Sequence, residues 1–108
     1  MMKLDTTTLA AVVNRCFALS ADGRFSDQQQ SSFLRHGKTL RGHLLHLLST
    51  QFNDGTQVVT NANSKLAEVN TQLQNDRDLV NNATETLTNV SDLVNILDKL
   101  FSIAVKLA

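Results

Sequence analysis

The stretch from Val59 to Ala108, VTNANSKLAEVNTQLQNDRDLVNNATETLTNVSDLVNILDKLFSIAVKLA, decides the fold class. Stepping through it by three and four residues visits Val59, Ala62, Leu66, Val69, Leu73, Asp76, Val80, Ala83, Leu87, Val90, Val94, Leu97, Phe101, Ala104 and Ala108. Fourteen of these fifteen positions are apolar, and Asp76 alone breaks the series. Apolar residues at that alternating spacing form one stripe along a helix. About seven heptads in a single register exceed the three or four that mark a coiled-coil seam. No glycine or proline follows Gly55 to interrupt the pattern.

Upstream, two shorter helices are legible from their ends. Asp5 is placed to cap the first, with Leu4 before the cap and Leu9 inside it forming a hydrophobic staple. Leu9, Val12, Val13, Cys16, Phe17 and Ser20 make its inward face, and Asp22-Gly23 supplies a stop. Ser26-Asp27-Gln28-Gln29 then offers a capping box for a second helix, so the two are joined by a tight turn and run antiparallel. Phe33, Gly37, Leu40, Leu44, Leu47 and Leu48 lie on one face of that second helix, and the pattern carries it to about Phe52. Asn53-Asp54-Gly55 makes the next turn, with Asp54 as the cap and Gln57 as its partner.

The sequence therefore predicts an all-α antiparallel helical bundle forming a single domain over residues 1–108. Its helices fall at about 5–21, 26–52 and 55–108, and it assembles into oligomers. Length supplies the reason for oligomers. At 1.5 Å per residue the last helix is roughly 80 Å long, against about 40 Å and about 24 Å for the other two. Two short helices cannot cover the whole stripe, so Val80, Leu87, Val90, Val94, Leu97 and Phe101 become the expected interface between copies. A break near Asn75-Asp76-Arg77-Asp78, folding the distal half back, is the alternative. The continuous helix is the expectation, because the heptad phase survives this segment. Asp76 then either sets register within a seam or caps a new helix.

Composition narrows the functional classes. Of 108 residues 42% are hydrophobic, but the only aromatic side chains are five Phe, and Trp, Tyr and Pro are absent. The formal net charge is zero, yet residues 1–52 carry six Lys/Arg against three Asp (+3), and residues 53–108 carry four against seven acids (−3). The halves are electrostatically complementary, within or between chains. No net basic surplus marks a nucleic-acid binder, so no nucleic acid is expected. The lone Cys16 asks for no oxidising compartment, Asn14 and Arg15 interrupt the apolar run that a signal peptide needs, and a cytoplasmic setting is the expectation.

Chemistry-bearing residues are sparse. His36, His43 and His46 share the second helix, but no acid lies near them there to complete a ligand set, so they read as boundary residues. Cys16 has no adjacent base and reads as core. The Ala21-Asp22-Gly23-Arg24-Phe25-Ser26 turn resembles half of a calcium loop only superficially, since aligning Gly23 leaves Ala18 and Gln29 where carboxylates are needed. Arg35, Lys38 and Arg41 form a basic strip opposite the apolar face, read as solvated or as meeting an acidic partner. No enzyme, cofactor or metal is expected. The reading is a non-enzymatic assembly or scaffold protein acting through coiled-coil-like homo-oligomerisation. A membrane-active protein using the apolar segment 93–107 is the alternative.

Overall fold

The long predicted helix ends at Asn75, whose backbone (φ −89°, ψ 77°) leaves the helical region. In the computed structural model the described residues are 3–48, 50, 52 and 57–107, with Asp76 and residues 104–107 described by backbone alone. The helices are α1 (Thr6–Ser20), α2 (Asp27–Leu47), α3 (Gln57–Gln74), the single turn α4 (Asp76–Leu79) and α5 (Ala83–Leu107). The continuous helix over 55–108 is thus corrected to α3, a corner and α5. Asp54, the expected cap of the third helix, lies outside the described residues.

Magnitudes explain why the break wins. A straight helix would leave the apolar residues beyond Leu73 facing water. Folding back instead buries Leu79, Ala83, Val90, Leu93, Leu97 and Leu100 to 2% exposure or less. Each fully buried leucine or valine is worth about 1.5–3 kcal/mol. The opposing term is a few backbone hydrogen bonds at about 1 kcal/mol net each, and two of the freed carbonyls are satisfied anew. Asn75 N–H donates to the Gln72 carbonyl (3.3 Å), and Arg15 Nε donates to the Leu73 carbonyl (2.8 Å).

The surviving heptad phase has a different origin from a continuous seam. On α5 the fully buried residues step through Ala83, Val90 and Leu97 on one edge and Thr86, Leu93 and Leu100 on the other. Leu87 and Val94 drop to the flank of the core. The buried face is therefore rotated from the predicted 83/87/90/94/97/101 stripe. The apolar surface of α5 is broad enough to satisfy both registers, so continuity of phase across residues 75–82 carries no information about continuity of the helix.

The N-terminal helices form as their ends dictate. The Asp5 carboxylate accepts the Thr8 amide (3.0 Å) and hydroxyl (2.6 Å). Ser26 and Gln29 close the reciprocal capping box (3.1 and 3.0 Å). Between α1 and α2, Phe25 is buried edge-on against Phe33, with ring centroids 5.2 Å apart. Helix α2 stops at Leu47, short of the predicted Phe52. Phe52 is 1% exposed and fills the core from outside the helix. Leu48, assigned by sequence to the core face, is instead 54% exposed, because Leu47 is the residue in phase with Phe33 and Leu40.

Chain direction follows from the contacts. Asp5 N–H donates to Asn63 Oδ1 (2.7 Å) and Arg15 reaches the Leu73 carbonyl, both 58 residues on, so α1 and α3 run parallel. His43 meets Asp98 and His46 meets Phe101, both 55 residues on, so α2 and α5 run parallel as well. Two antiparallel hairpins, α1–α2 and α3–α5, thus pack side by side with like-directed helices adjacent. Helix α1 contacts α2 and α3, while α5 contacts α2 and α3. The bundle measures 42 × 20 × 19 Å.

Candidate functional site

The six residues expected at an oligomer interface do not come together on one outward surface. Val90 and Leu97 are fully buried in the chain's own core. Leu87 and Val94 pack against that core and Phe101 is half-buried, while Val80 is 39% exposed at the corner. Asp76 opens α4 as its first helical residue, and Asn75 rather than Asp76 takes the cap position, without a side-chain capping bond. The exposed side of α5 is polar and mainly acidic, carrying Glu85, Asp92 and Asp98 with Thr88, Asn95 and Ser102. Part of this charge is tied up: Lys65 reaches Glu68 (3.2 Å) and Asp92 (4.0 Å), and also donates to Asn89 (3.1 Å).

The histidines occupy the boundary. His43 Nε2 lies 2.7 Å from Asp98 Oδ1, and the exposed His46 ring leans on Phe101 with centroids 5.0 Å apart. His36 is half-buried beside Arg35; burial first, and that charge second, hold its imidazole below the ordinary 6.5. Among the described residues no three His, Cys, Asp or Glu side chains gather as a metal site would require. Cys16 is fully buried, and burial pushes its thiol up to about 12, far from a reactive thiolate. In the α1–α2 turn the Asp22 carboxylate is engaged by Arg24, whose Nη2 lies 2.7 Å away, and this holds the carboxyl down at about 2.

The outer side of α2 holds a row that sequence reading found only in part, as Lys38 and Arg41 of the basic strip, and whose leucines it missed. Leu45 is 69% exposed, Leu48 54% and Leu34 38%. With Lys38 and Arg41 they form one row, Leu34-Lys38-Arg41-Leu45-Leu48, stepping by four and three residues. The row is off-phase from the core stripe of Phe33, Gly37, Leu40 and Leu47 by about one residue, or roughly 100°. Its signal was present in the sequence as a second 3–4 series on the same helix, hidden by the stronger heptad downstream. Arg41 is stacked over the half-buried Phe17 ring of α1, its guanidinium carbon 5.6 Å from the centroid. Neither Lys38 nor Arg41 has a carboxylate partner among the described residues.

No described helix is long and apolar enough to cross a membrane. Comparison with protein-family models, with curated proteins and with solved structures finds no match to this chain.

Proposed function

We propose that the protein is a non-enzymatic helical assembly module that docks a partner through the outer row of α2. The observation that carries this reading is the exposure of Leu45 and Leu48, 69% and 54%, one helical turn apart in a bundle whose other leucines are largely withdrawn from water. Single exposed leucines are ordinary; a row of them at helical spacing, continuous with Phe17 and interleaved with cations that have no carboxylate partner among the described residues, is the form of a helix-docking surface.

The occupant that best suits the chemistry of the row is an acidic amphipathic helix from another protein. Apolar side chains would meet Leu45 and Leu48, and carboxylates would meet Lys38 and Arg41. A second copy is less well suited, because the exposed acids of α5 lie among Thr88, Asn95 and Ser102, with no exposed large apolar side chain among the described residues of that helix to receive the leucines. Two α2 rows facing each other would bring their cations together. A lipid surface would need the apolar face of an amphipathic helix turned outward, whereas that face of α2 forms the core.

Calorimetric titration with a synthetic 21-residue helix carrying leucines at three- and four-residue spacing, flanked by glutamates, tests the proposal. The expected result is saturable binding that weakens as salt is raised. Leu45→Glu with Leu48→Glu should weaken it roughly tenfold or more, as removal of about 1.4 kcal/mol of anchoring implies. Equal binding of the same peptide with lysines for glutamates would overturn the acidic specificity. Self-association of the free protein abolished by the leucine substitutions would assign the row to a second copy, and flotation with anionic vesicles would assign it to lipid.

A further inference from the structure

A polar groove of about 440 Å³ runs between the N-terminal halves of α2 and α5, on a different side of α2 from the leucine row. It exists because α2 and α5 are parallel neighbours, so both helices begin at the same end of the bundle. Ser32, Arg35 and His36 line it from α2, and Thr84, Leu87 and Ser91 line it from α5. Its composition is one-sided: a guanidinium, an imidazole, hydroxyls and carboxamides, with no carboxylate in the wall.

Ser26 and Gln29 of this wall are spent in the α2 capping box and Thr88 on the Thr84 carbonyl, but five further side chains are not. The side chains of Ser32, Arg35, His36, Thr84 and Ser91 make no hydrogen bond or ion pair among the described residues. Arg35 shares this with Lys38 and Arg41 on the neighbouring side of α2, whereas Arg24 holds Asp22, Lys65 holds Glu68, and Arg15 holds the Leu73 carbonyl. An acidic side chain beside Arg35 would neutralise the groove, and none lines it. The imidazole of His36, whose charged form is disfavoured by burial and by Arg35, adds further hydrogen-bonding capacity to the wall.

We propose that this groove binds a small organic phosphomonoester. A tetrahedral anion offers three terminal oxygens. Arg35 can hold two of them side by side, and the hydroxyls of Ser32, Thr84 and Ser91 are disposed on both walls for the third. A carboxylate would be satisfied by the guanidinium alone and leave those hydroxyls unused. The volume lies within the range of small-molecule sites, about 300–1,000 Å³. That is larger than a bare phosphate ion needs, and Leu87 supplies an apolar contact for the organic part. The amide ends of the two helices add favourable potential for an anion at this end of the bundle.

The test is a titration of isotope-labelled protein, followed by amide chemical shifts, with phenyl phosphate, inorganic phosphate and benzoate in parallel. Phenyl phosphate is expected to saturate, with the largest shifts at Ser32, Arg35, His36, Thr84 and Ser91. Inorganic phosphate and benzoate should each bind at least tenfold more weakly. Arg35→Gln should weaken phenyl phosphate at least tenfold, and Ser32→Ala with Ser91→Ala severalfold, with thermal midpoints unchanged because these side chains support no packing. Absence of saturation, or shifts centred away from the groove, would overturn the proposal. So would benzoate binding as tightly as phenyl phosphate, or an Arg35→Gln variant that is folded and binds normally. Equal affinity for inorganic phosphate would reduce the groove to an adventitious ion site only.

Discussion

Arg15 on α1 donates from Nε to the carbonyl of Leu73 at 2.8 Å, one residue before the last residue of α3. A helix that ends leaves its final carbonyls without intrahelical partners, and here one of them is closed by a side chain from a neighbouring parallel helix. The contact couples the place where the chain reverses to the packing of α1 on α3. Arg15→Met keeps the aliphatic stem and removes the donor. Loss of a charged hydrogen bond to a part-buried carbonyl is expected to lower stability by about 1.5–3 kcal/mol. Urea or thermal denaturation checks it; an unchanged midpoint would mean the carbonyl is equally well satisfied by water.

Gly37 and Gly42 make a paired prediction on α2. A methyl at Gly37 would sit 3.3 Å from Cys16 Cβ and 3.3 Å from Phe17 Cε1, whereas one at Gly42 would meet nothing within 4 Å. Gly37→Val therefore overpacks the α1–α2 contact and should destabilise by about 1–3 kcal/mol. Gly42→Ala, gaining helix propensity in open space, should stabilise by about 0.5–1 kcal/mol. Denaturation midpoints moving in the same direction for both variants would contradict this close approach of the helices.

The Asp5 cap confers a pH dependence whose sign is fixed. Hydrogen bonds from the Thr8 hydroxyl, and then from its amide, hold the Asp5 carboxyl below the ordinary 3.8. A folded-state value below the unfolded one adds stability that is present above about pH 4. That stability is lost as pH falls through the folded value. Asp5→Ala should lower stability at neutral pH by about 0.5–1 kcal/mol, the low end of the capping range because the site is exposed and screened. The gap between variant and parent should narrow below pH 4, and a gap that widened there would refute the cap.

Cys16 should be silent in the folded protein. Its complete burial and its thiol near 12 leave neither access nor thiolate at pH 8. Ellman's reagent is expected to label it only on the timescale of unfolding, with immediate reaction in urea. Rapid labelling of the native protein would show that the α1–α2 contact opens.

Truncations separate core from docking row. Leu66 and Leu97 are fully buried on α3 and α5, so alanine at either should remove about 2–5 kcal/mol. Leu45→Ala, at 69% exposure, should change stability by no more than about 0.5 kcal/mol while weakening the acidic peptide. A large stability loss at Leu45 would place it in the core and remove it from any docking surface.

Much of the fold was legible because it is written in local chemistry. Asp5, Ser26 and Gln29 announce helix ends within four residues of themselves, and Val59, Ala62, Leu66, Val69 and Leu73 bury as their spacing requires. The reversal at Asn75 is visible in the sequence only as an alternative to a continuous helix. Phase counts apolar positions, and α5 carries enough of them to satisfy either register. Deciding it needs the long-range terms: the area that Leu93, Leu97 and Leu100 withdraw from water, and the Arg15 donor 58 residues away. The outer α2 row and the α2–α5 groove were less legible. The row is recognisable only once Leu48 is known to point outward rather than into the core with Leu47, and the groove requires the parallel neighbours that the chain's crossing produces.

The fold-back at Asn75 underlies the bundle and its α2–α5 groove, and its most direct test is small-angle scattering on the eluting chromatographic peak, read with the mass. The account gives a compact particle, matching a Cα radius of gyration of 13.9 Å and a long axis of 42 Å for each 11.9 kDa chain. A scattering curve of a rod with a maximum dimension of roughly 80 Å, the length of an unbroken helix over residues 55–108, would contradict it.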